Sequence, residues 1–514
     1  MPSFNRFVSA RRFRFKRGKC IKNKLLASEN EGWGKVIVKE QAISAIHHFK
    51  RLSALLRLHP FEMETEGGRA NERHRRAFLT ALASGLSRVI SISTGLISVP
   101  MTLRYLGTER YGLWMTISAI IAFLAFSDLG INNSLLNGIA KAYGRNDRVL
   151  ARQYVSSAFF LLTAVALVLG AIFLVAYPWI SWASIFRVHS TQAMSESGPA
   201  IAVFTGCFLL NIPVGIVTRV QSGYQDGFIA NLWIALGSVL SLLLLLLVIH
   251  YHGSLALLVL AMAGSPILVL VLNGFVLFGI QRPWLIPSKR YVERGVSKDL
   301  MHLGGLFFIL QLAGAIAFSS DNLVLARIIG PEAVTSYSVP CRLFSLISMV
   351  TMLIIAPLWP AYGEALERQD HRWIRKTLYQ TLMISASVSV IMSTALVIWG
   401  PRIIHLWVGP GVTPSMLLLV GLGIWGVLLS VSSTLAVFLN GISVVRIQVI
   451  IASLGACTNI VLSVYLTHRV GIPGVVYGSI LSQGFIVLLP YYCYMNRYIN
   501  KRLPGIANKT SDGS

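Results

Sequence analysis

The sequence predicts an all-α polytopic membrane protein of about twelve transmembrane helices in two six-helix lobes. Of its 514 residues, 54% are hydrophobic and only 13% charged, and the mean hydropathy is +0.66. Soluble globular chains carry about 25% charged residues, so this composition excludes an ordinary cytosolic enzyme. Apolar runs of about 20 residues, the length that crosses a bilayer as a helix, separate the basic clusters.

Twelve segments satisfy this length criterion, and several contain Gly or Pro, which transmembrane helices tolerate. The first lobe is predicted over 78–278, the second over 301–495, with a basic linker at 279–300 and a cytoplasmic tail at 496–514. The spans are 78–100, 112–134, 154–178, 199–219, 232–251, 254–278, 301–326, 334–359, 377–399, 415–439, 448–467 and 473–495.

The distribution of Lys and Arg predicts that both chain ends lie in the cytoplasm. The segments placed inside after residue 77 carry 19 of these residues, and the outside loops carry six. This asymmetry follows the positive-inside rule. The net charge of +25 therefore reports topology, and no nucleic-acid partner is predicted.

Residues 1–77 hold 18 Lys and Arg and 7 acidic residues, which predicts a disordered basic cytoplasmic tail. Two alternatives remain open. One is a start of translation at Met63, directly before the first span. The other is an amphipathic helix lying on the membrane surface. Its apolar face would consist of Ala42, Ala45, Ile46, Phe49, Leu52 and Leu56.

An internal repeat relates the two lobes when the chain is shifted by 223 residues. The eight identities fall mainly in one outer turn and one inner loop, and the alternative is chance agreement between two short loops. Six spans per half give a parallel repeat, and transporters built this way bind substrate at the repeat interface. The identical pairs are Arg104 and Arg327, Gly107 and Gly330, Glu109 and Glu332, Leu135 and Leu358, Ala142 and Ala365, Arg145 and Arg368, Asp147 and Asp370, and Arg152 and Arg375.

The first helix of each lobe carries a polar stripe at helical spacing. Ser84, Arg88, Ser91, Gly95 and Ser98 form the first stripe, and Gln311, Gly314, Phe318 and Asp321 form the second. A charge at mid-membrane costs about 2.5–3.5 kcal/mol on insertion scales, so it should face protein or water. The stripes therefore predict a central hydrated cavity. A packing seam of small residues is the alternative.

A few ionisable residues are candidates for function inside this cavity. Arg88 and Arg342, with Gln311 and Ser91, are predicted to bind an anion, since guanidinium groups bind phosphate through two hydrogen bonds. Asp128 and Asp321 are predicted to be their counter-ions or to carry a coupling proton or cation; purely structural pairing is the alternative. A cytoplasmic mouth is predicted at Lys141, Arg145, Arg148, Arg152 and Arg219, which would otherwise be topology determinants.

Catalytic machinery is not apparent in the sequence. It has no G-x-x-x-x-G-K-[ST] phosphate loop, and the soluble loops after residue 77 are too short for a catalytic domain. The five Cys show no metal-ligand spacing, and four lie in apolar stretches as packing thiols. No enzyme activity, cofactor or metal is predicted.

Two motifs resemble those of the bacterial polysaccharide flippases, which belong to the multidrug/oligosaccharidyl-lipid/polysaccharide exporter superfamily. They are Leu106-Gly107-x-Glu109-x-Tyr111-Gly112-x-Trp114 and Asp128-Leu129-Gly130. The segments 404–409 and 439–441 resemble the second half of the same family. The resemblance covers about residues 77–500.

The resemblance implies alternating access and movement of a polyprenyl-diphosphate-linked oligosaccharide to the outer leaflet of the bacterial inner membrane. Membrane lipid, a polysaccharide polymerase and glycosyltransferases are the implied partners, and basic cavity residues such as Arg88 and Arg342 would bind the diphosphate. A multidrug exporter of the same superfamily is one alternative, and it would need an acid-lined cavity. A membrane enzyme of polysaccharide assembly is the other, and it would need external carboxylates.

Overall fold

The computed structural model describes residues 61, 64–124, 126–186, 188–408 and 413–502. The segment considered above as a surface-lying helix, 42–56, lies outside them. The described residues are almost entirely helical and contain no β-strand. Eleven of the described helices are long and apolar enough to cross a membrane. Many large apolar side chains on them are exposed, as expected for surfaces that face lipid.

The first half runs from the first helix to the loop before residue 294. Its helices are α1 (Glu66–Leu124), α2 (Ile131–Gly144), α3 (Arg148–Ala176), α4 (Trp182–Ile185), α5 (Thr191–Val214), α6 (Ile216–Gly223), α7 (Gly227–His250), α8 (Leu255–Val259) and α9 (Ser265–Phe275). Two π-helical segments, Leu260–Gly264 and Val276–Gln281, continue α8 and α9.

The second half repeats this organisation. Its helices are α10 (Arg294–Ile328), α11 (Pro331–Ile355), α12 (Leu358–Glu367), α13 (His371–Val408), α14 (Met416–Gly441), α15 (Arg446–Val470), α16 (Pro473–Leu481) and α17 (Leu489–Arg502). A π-helical segment, Ser482–Leu488, joins the last two.

The predicted span 112–134 is not one continuous helix. The long helix α1 breaks at Gly107, where φ is 72°, and ends at Leu124. Leu129 and Gly130 then adopt positive φ angles of 49° and 71° before α2 begins. The part of α1 after the break and α2 together occupy the second predicted span, and neither is among the eleven described helices of membrane-spanning length. The corresponding crossing in the second half is also divided, between α11 and α12.

Backbone conformation supports the predicted repeat. Gly107 and Gly330, which are 223 residues apart, both have positive φ. Asp147 accepts from the Leu150 amide at 2.9 Å, and Asp370 accepts from the Trp373 amide at 3.2 Å, so both cap the next helix. The same turns, helix breaks and caps therefore recur at equivalent positions in the two halves.

Each half has its own apolar interior, and the first helix of each half also packs on the other half. Ala70 and Ala77 at the start of α1 pack against the second-half cluster around Tyr362. Val296 and Leu300 at the start of α10 belong to the first-half cluster. The structure thus consists of two lobes whose first helices are exchanged at one end.

The prediction that residues 1–77 form a disordered tail is wrong for residues 66–77. This segment is the first part of α1. Its charged side chains Glu72, Arg73 and Arg75 are buried. Glu72 pairs with Arg75 on the same helix, whereas Arg73 pairs with Glu364 and Asp370 far along the chain. The local sequence gives no sign that Arg73 is compensated.

Candidate functional site

A buried ion-pair cluster joins the two halves at the end predicted to be cytoplasmic. Arg73 donates to Glu364, and it donates to Asp370 at 2.7 Å. Glu364 also accepts from Arg368. The side chains of Arg73 and Glu364 are only 3% and 1% exposed. Because an unpaired buried charge costs several kcal/mol, each of these groups depends on the others.

The cluster continues into the first half through Arg76. Its guanidinium donates to Glu72 at 2.7 Å and to Asp226 at 2.9 Å. Asp226 also accepts from Arg282 at 2.6 Å. The start of α1 is thereby bound to both halves, to one through Arg73 and to the other through Arg76.

Repeat-related residues make reciprocal contacts across the same interface. Arg145 donates to Glu367 at 2.6 Å, and its counterpart Arg368 donates to Asn146 at 3.1 Å. Both contacts join residues 222 positions apart. Each of the two repeat-related arginines therefore donates to a residue of the other half, as expected for an approximately two-fold interface.

Close backbone approach seals the interface beside these charges. Asn137 donates to the Asn440 carbonyl at 2.9 Å and accepts from the Trp359 indole at 2.6 Å. A Cβ at Gly441 would lie 2.6 Å from the Trp359 carbonyl oxygen. The motif at 439–441 therefore requires its glycine for close approach, and the halves are closed upon each other at this end.

A cavity of about 360 Å³ lies between the halves. Polar groups from both halves line it, including Arg76, Ser84, Arg219, Asn231 and Asn440. It contains one member of the first predicted stripe, Ser84. A polar space between the lobes is thus present, and the cations that line it are Arg76 and Arg219.

The four residues predicted to bind an anion lie elsewhere. Arg88 and Arg342 are exposed and have no ion pair among the described residues. Ser91 shares a 2.8 Å hydrogen bond with Ser238. The Gln311 amide nitrogen is buried without a partner in the described part of the chain. None of the four lines the cavity between the halves, so the structure does not gather them at one point.

Asp128 lies in a second cavity, of about 440 Å³, inside the first half. Its carboxylate accepts from the Gly130 amide at 2.9 Å and interacts electrostatically with Arg219. In this structure Asp128 lies near Arg219 and forms no ion pair with Arg88 or Arg342 among the described residues. A Cβ at Gly130 would lie 2.2 Å from the Gly304 carbonyl oxygen, which explains the glycine of the Asp128-Leu129-Gly130 motif.

Asp321 is a buried carboxylate surrounded by hydroxyl groups. It is 3% exposed and accepts from Ser479 at 3.1 Å, Tyr337 at 3.2 Å and Ser463 at 3.3 Å. No Lys or Arg among the described residues pairs with it. In this structure Asp321 thus forms no ion pair with Arg342, and hydroxyl groups supply its hydrogen bonds.

The residues of the predicted mouth have several partners. Arg145 is already paired with Glu367. Arg148 lies over the Trp284 ring at 5.6 Å, and Lys141 is half-buried near the end of α2. Arg219 reaches both cavities. Of these residues, Arg145 therefore contributes to the interface between the halves in this closed arrangement.

Sequence reasoning missed the ion pairs of the interface. Their members are Arg73, Arg76, Asp226, Arg282, Glu364 and Asp370. One signal was available: acidic residues are scarce in this chain, yet Glu364 and Asp370 lie in an inner loop and Asp226 in another. Acidic residues that lie among many Lys and Arg residues in predicted cytoplasmic loops are expected to form ion pairs with them.

The outer motif at 106–114 has a structural role. Glu109 accepts from the backbone amides of His189 at 2.5 Å and Ser190 at 3.1 Å. These bonds hold the pKa of the Glu109 carboxylate below its ordinary value. Arg110 and Glu196 form a two-pronged ion pair at 2.7 and 2.9 Å. Together they fix the long outer loop to the first turn.

Comparison with known proteins gives consistent results. A family described as "Polysaccharide biosynthesis protein" matches residues 78–366, and the MatE family matches 308–465. A Salmonella typhi protein named as an O-antigen transporter is 23% identical over 442 residues, 83% of this chain and 98% of the relative. A similarly named Salmonella typhimurium protein is 22% identical and spans 80% and 94% of the two chains.

Solved structures share the fold. A MATE protein in the bent conformation aligns with a TM-score of 0.72 at 16% identity, covering 84% of this chain and 96% of that one. A MOP superfamily transporter from Pyrococcus furiosus aligns with a TM-score of 0.66 at 15% identity, covering 83% and 96%.

Proposed function

Because the chain belongs to the polysaccharide biosynthesis protein family, we propose that it moves a polyprenyl-diphosphate-linked oligosaccharide to the outer leaflet by alternating access. The observation that carries this proposal is the closed, ion-paired interface between two repeat-related halves, with a polar cavity between them. The names of the Salmonella relatives support the substrate class. The proposal assigns transport to the chain and no catalytic step.

The physical task matches this architecture. A sugar head group cannot cross hydrocarbon, because each polar group that loses its hydrogen bonds costs several kcal/mol. A hydrated cavity with cations lowers that barrier for a diphosphate. A membrane potential that is negative inside also favours outward movement of an anion, by about 2.3 kcal/mol per charge per 100 mV.

The ion-pair cluster is proposed as the cytoplasmic gate. Substrate from the cytoplasm enters only when the Arg73 and Glu364 pair and the Arg145 and Glu367 pair have separated. The reciprocal contacts across the interface favour a transition between a closed and an open arrangement over gradual loosening. Because the cluster is closed in this structure, the cavity is shut at the predicted cytoplasmic end.

Asp321 is proposed as the coupling residue. Its carboxylate accepts hydrogen bonds from three hydroxyl groups but has no cationic partner among the described residues. Carboxylate and hydroxyl oxygens suit a proton or a hard cation such as sodium. Binding of either would neutralise a charge whose burial is otherwise costly.

Arg88 and Arg342 remain the proposed ligands of the diphosphate. Both are exposed on the first two helices of their halves and have no protein partner among the described residues. A guanidinium in this state is available to a phosphate. When the gate opens, the halves rearrange around the cavity, and this movement brings both arginines toward the substrate.

The experiment is genetic complementation in the bacterium, with surface polysaccharide and lipid-linked precursor measured together. Arg88→Ala is expected to abolish surface polysaccharide, accumulate the precursor and leave the amount of membrane protein unchanged. Arg88→Lys retains the charge and should retain part of the output. Normal polysaccharide from Arg88→Ala would overturn the role of this residue. Deletion of the gene without any precursor accumulation would overturn the proposed function, together with its inner-membrane location and its polymerase and glycosyltransferase partners.

A further inference from the structure

The cavity inside the first half is separate from the proposed diphosphate ligands. It has a volume of about 440 Å³, within the range of about 300–1,000 Å³ usual for small-molecule sites. Asp128 and Asn132 line it from the turn before α2 and from α2 itself, and Trp233 and Ser238 line it from α7. Arg219 lines both this cavity and the one between the halves. A molecule in the central space is therefore adjacent to this side pocket.

The charges of the pocket balance. Asp128 and Arg219 are its two formally charged residues, and they interact with each other. A pocket of zero net charge offers little preference for a diphosphate or for a cationic drug. It suits an uncharged ligand instead.

The polar groups of the pocket are both donors and acceptors. The amides of Asn132 and Asn211 carry both donors and acceptors. The hydroxyls of Thr218 and Ser238 already donate or share hydrogen bonds within the protein, and their oxygens have further acceptor capacity. The Asn132 Oδ1 is buried and accepts no hydrogen bond from the described residues. Because Asn132 lines the pocket, a ligand hydroxyl is a suitable donor for this unsatisfied oxygen. Sugar hydroxyls are donors and acceptors at once.

An aromatic side chain completes the lining. Trp233 is half-buried on α7 and presents a flat apolar surface with one N–H donor. The C–H face of a pyranose ring is apolar, while its hydroxyls point outward along the rim. An indole beside amides and hydroxyls therefore matches a sugar ring better than a lipid chain.

We propose that this pocket binds one uncharged sugar residue of the transported glycan while the diphosphate is held elsewhere. Trp233 packs on the ring, and Asn132, Asn211 and Arg219 bind its hydroxyls. This inference rests on the proposed function, because it names the part of the same substrate that this half recognises.

The test compares two probes on the purified full chain in lipid nanodiscs. One probe is undecaprenyl diphosphate, and the other is undecaprenyl diphosphate bearing a neutral trisaccharide. Trp233→Ala and Asn132→Leu are expected to weaken binding of the trisaccharide lipid by about tenfold or more. They should change binding of undecaprenyl diphosphate by less than about twofold. Trp233→Phe keeps a flat face and should retain most of the affinity.

A matched control comes from the second half. Trp425 lines a comparable cavity there, and Trp425→Ala is expected to leave both affinities unchanged. Equal weakening of both probes by Trp233→Ala, or no weakening of either, overturns the sugar pocket. The same follows if the wild-type protein binds undecaprenyl diphosphate but gains nothing from the trisaccharide, in which case the proposed function stands. A wild-type protein that binds neither probe overturns both.

Discussion

Neutralising Glu364 should open the cytoplasmic gate. Its carboxylate is 1% exposed and is shared by Arg73 and Arg368 from the two halves. Gln225 also donates to it at 3.4 Å. Glu364→Gln keeps the shape of the side chain and removes its charge. Arg73 loses this partner only in the closed state, because its pair with Glu364 joins the two halves. Arg368 lies one turn from Glu364 in the same half and loses it in both states.

The size of the effect follows from burial. Removing one member of a buried ion pair costs about 3–5 kcal/mol. In the variant Arg73 still pairs with Asp370, and Arg368 still donates to Asn146. We therefore expect a cost at the lower end of this range. A loss of about 3 kcal/mol shifts the equilibrium between closed and open states by about 150-fold.

Electron–electron double resonance measures this shift directly. Spin labels at Val149 and Arg375, which are exposed on opposite halves, report the separation of the cytoplasmic ends in a background without the native cysteines. The unmodified gate should give mainly the short distance. In Glu364→Gln, a longer distance between the labels should be populated at least as strongly as the short distance.

A matched control lies one turn further along the same helix. Glu367 pairs with Arg145, whose side chain is 49% exposed, and exposed pairs contribute only about 0–1 kcal/mol. Glu367→Gln should therefore shift the distances by less than about fivefold. The gate hypothesis fails if Glu364→Gln leaves the distribution unchanged, or if both variants shift it equally.

Four further changes have definite expected outcomes. Gly130→Ala should destabilise the protein by more than about 1 kcal/mol in thermal unfolding, because φ is 71° and the new Cβ would lie 2.2 Å from the Gly304 carbonyl oxygen. Asp321→Asn should abolish the pH or sodium dependence of transport in vesicles; a variant that keeps both dependences rules out Asp321 as the coupling residue. Asp147→Ala should cost about 1 kcal/mol as a lost helix cap. Asp370→Ala should cost more, because this cap also binds a buried arginine, and equal losses would show that the pair contributes nothing.

Eleven of the twelve predicted spans correspond to helices of membrane-spanning length. These spans and the repeat were predictable because length, hydropathy and spacing encode them directly. The break at Leu129 and Gly130 was not predictable. The apolar pattern of the sequence continues through these residues, although their backbone forms a turn with positive φ. The pairing of Arg73 with Glu364 joins residues 291 positions apart, and no local pattern connects them. Asp128 was noted in the sequence as unusual. Its proximity to Arg219 was not predictable, because it depends on the packing of α2 against α6.

Transport of the substrate itself remains the decisive measurement. The protein is reconstituted in liposomes with an undecaprenyl-diphosphate-linked trisaccharide, and a membrane-impermeant glycosidase reports how fast the sugar reaches the opposite leaflet. We expect rapid exposure with the unmodified protein and a rate near that of protein-free liposomes with Arg88→Ala. No acceleration by the unmodified protein, together with export of a cationic dye, would instead identify a multidrug exporter.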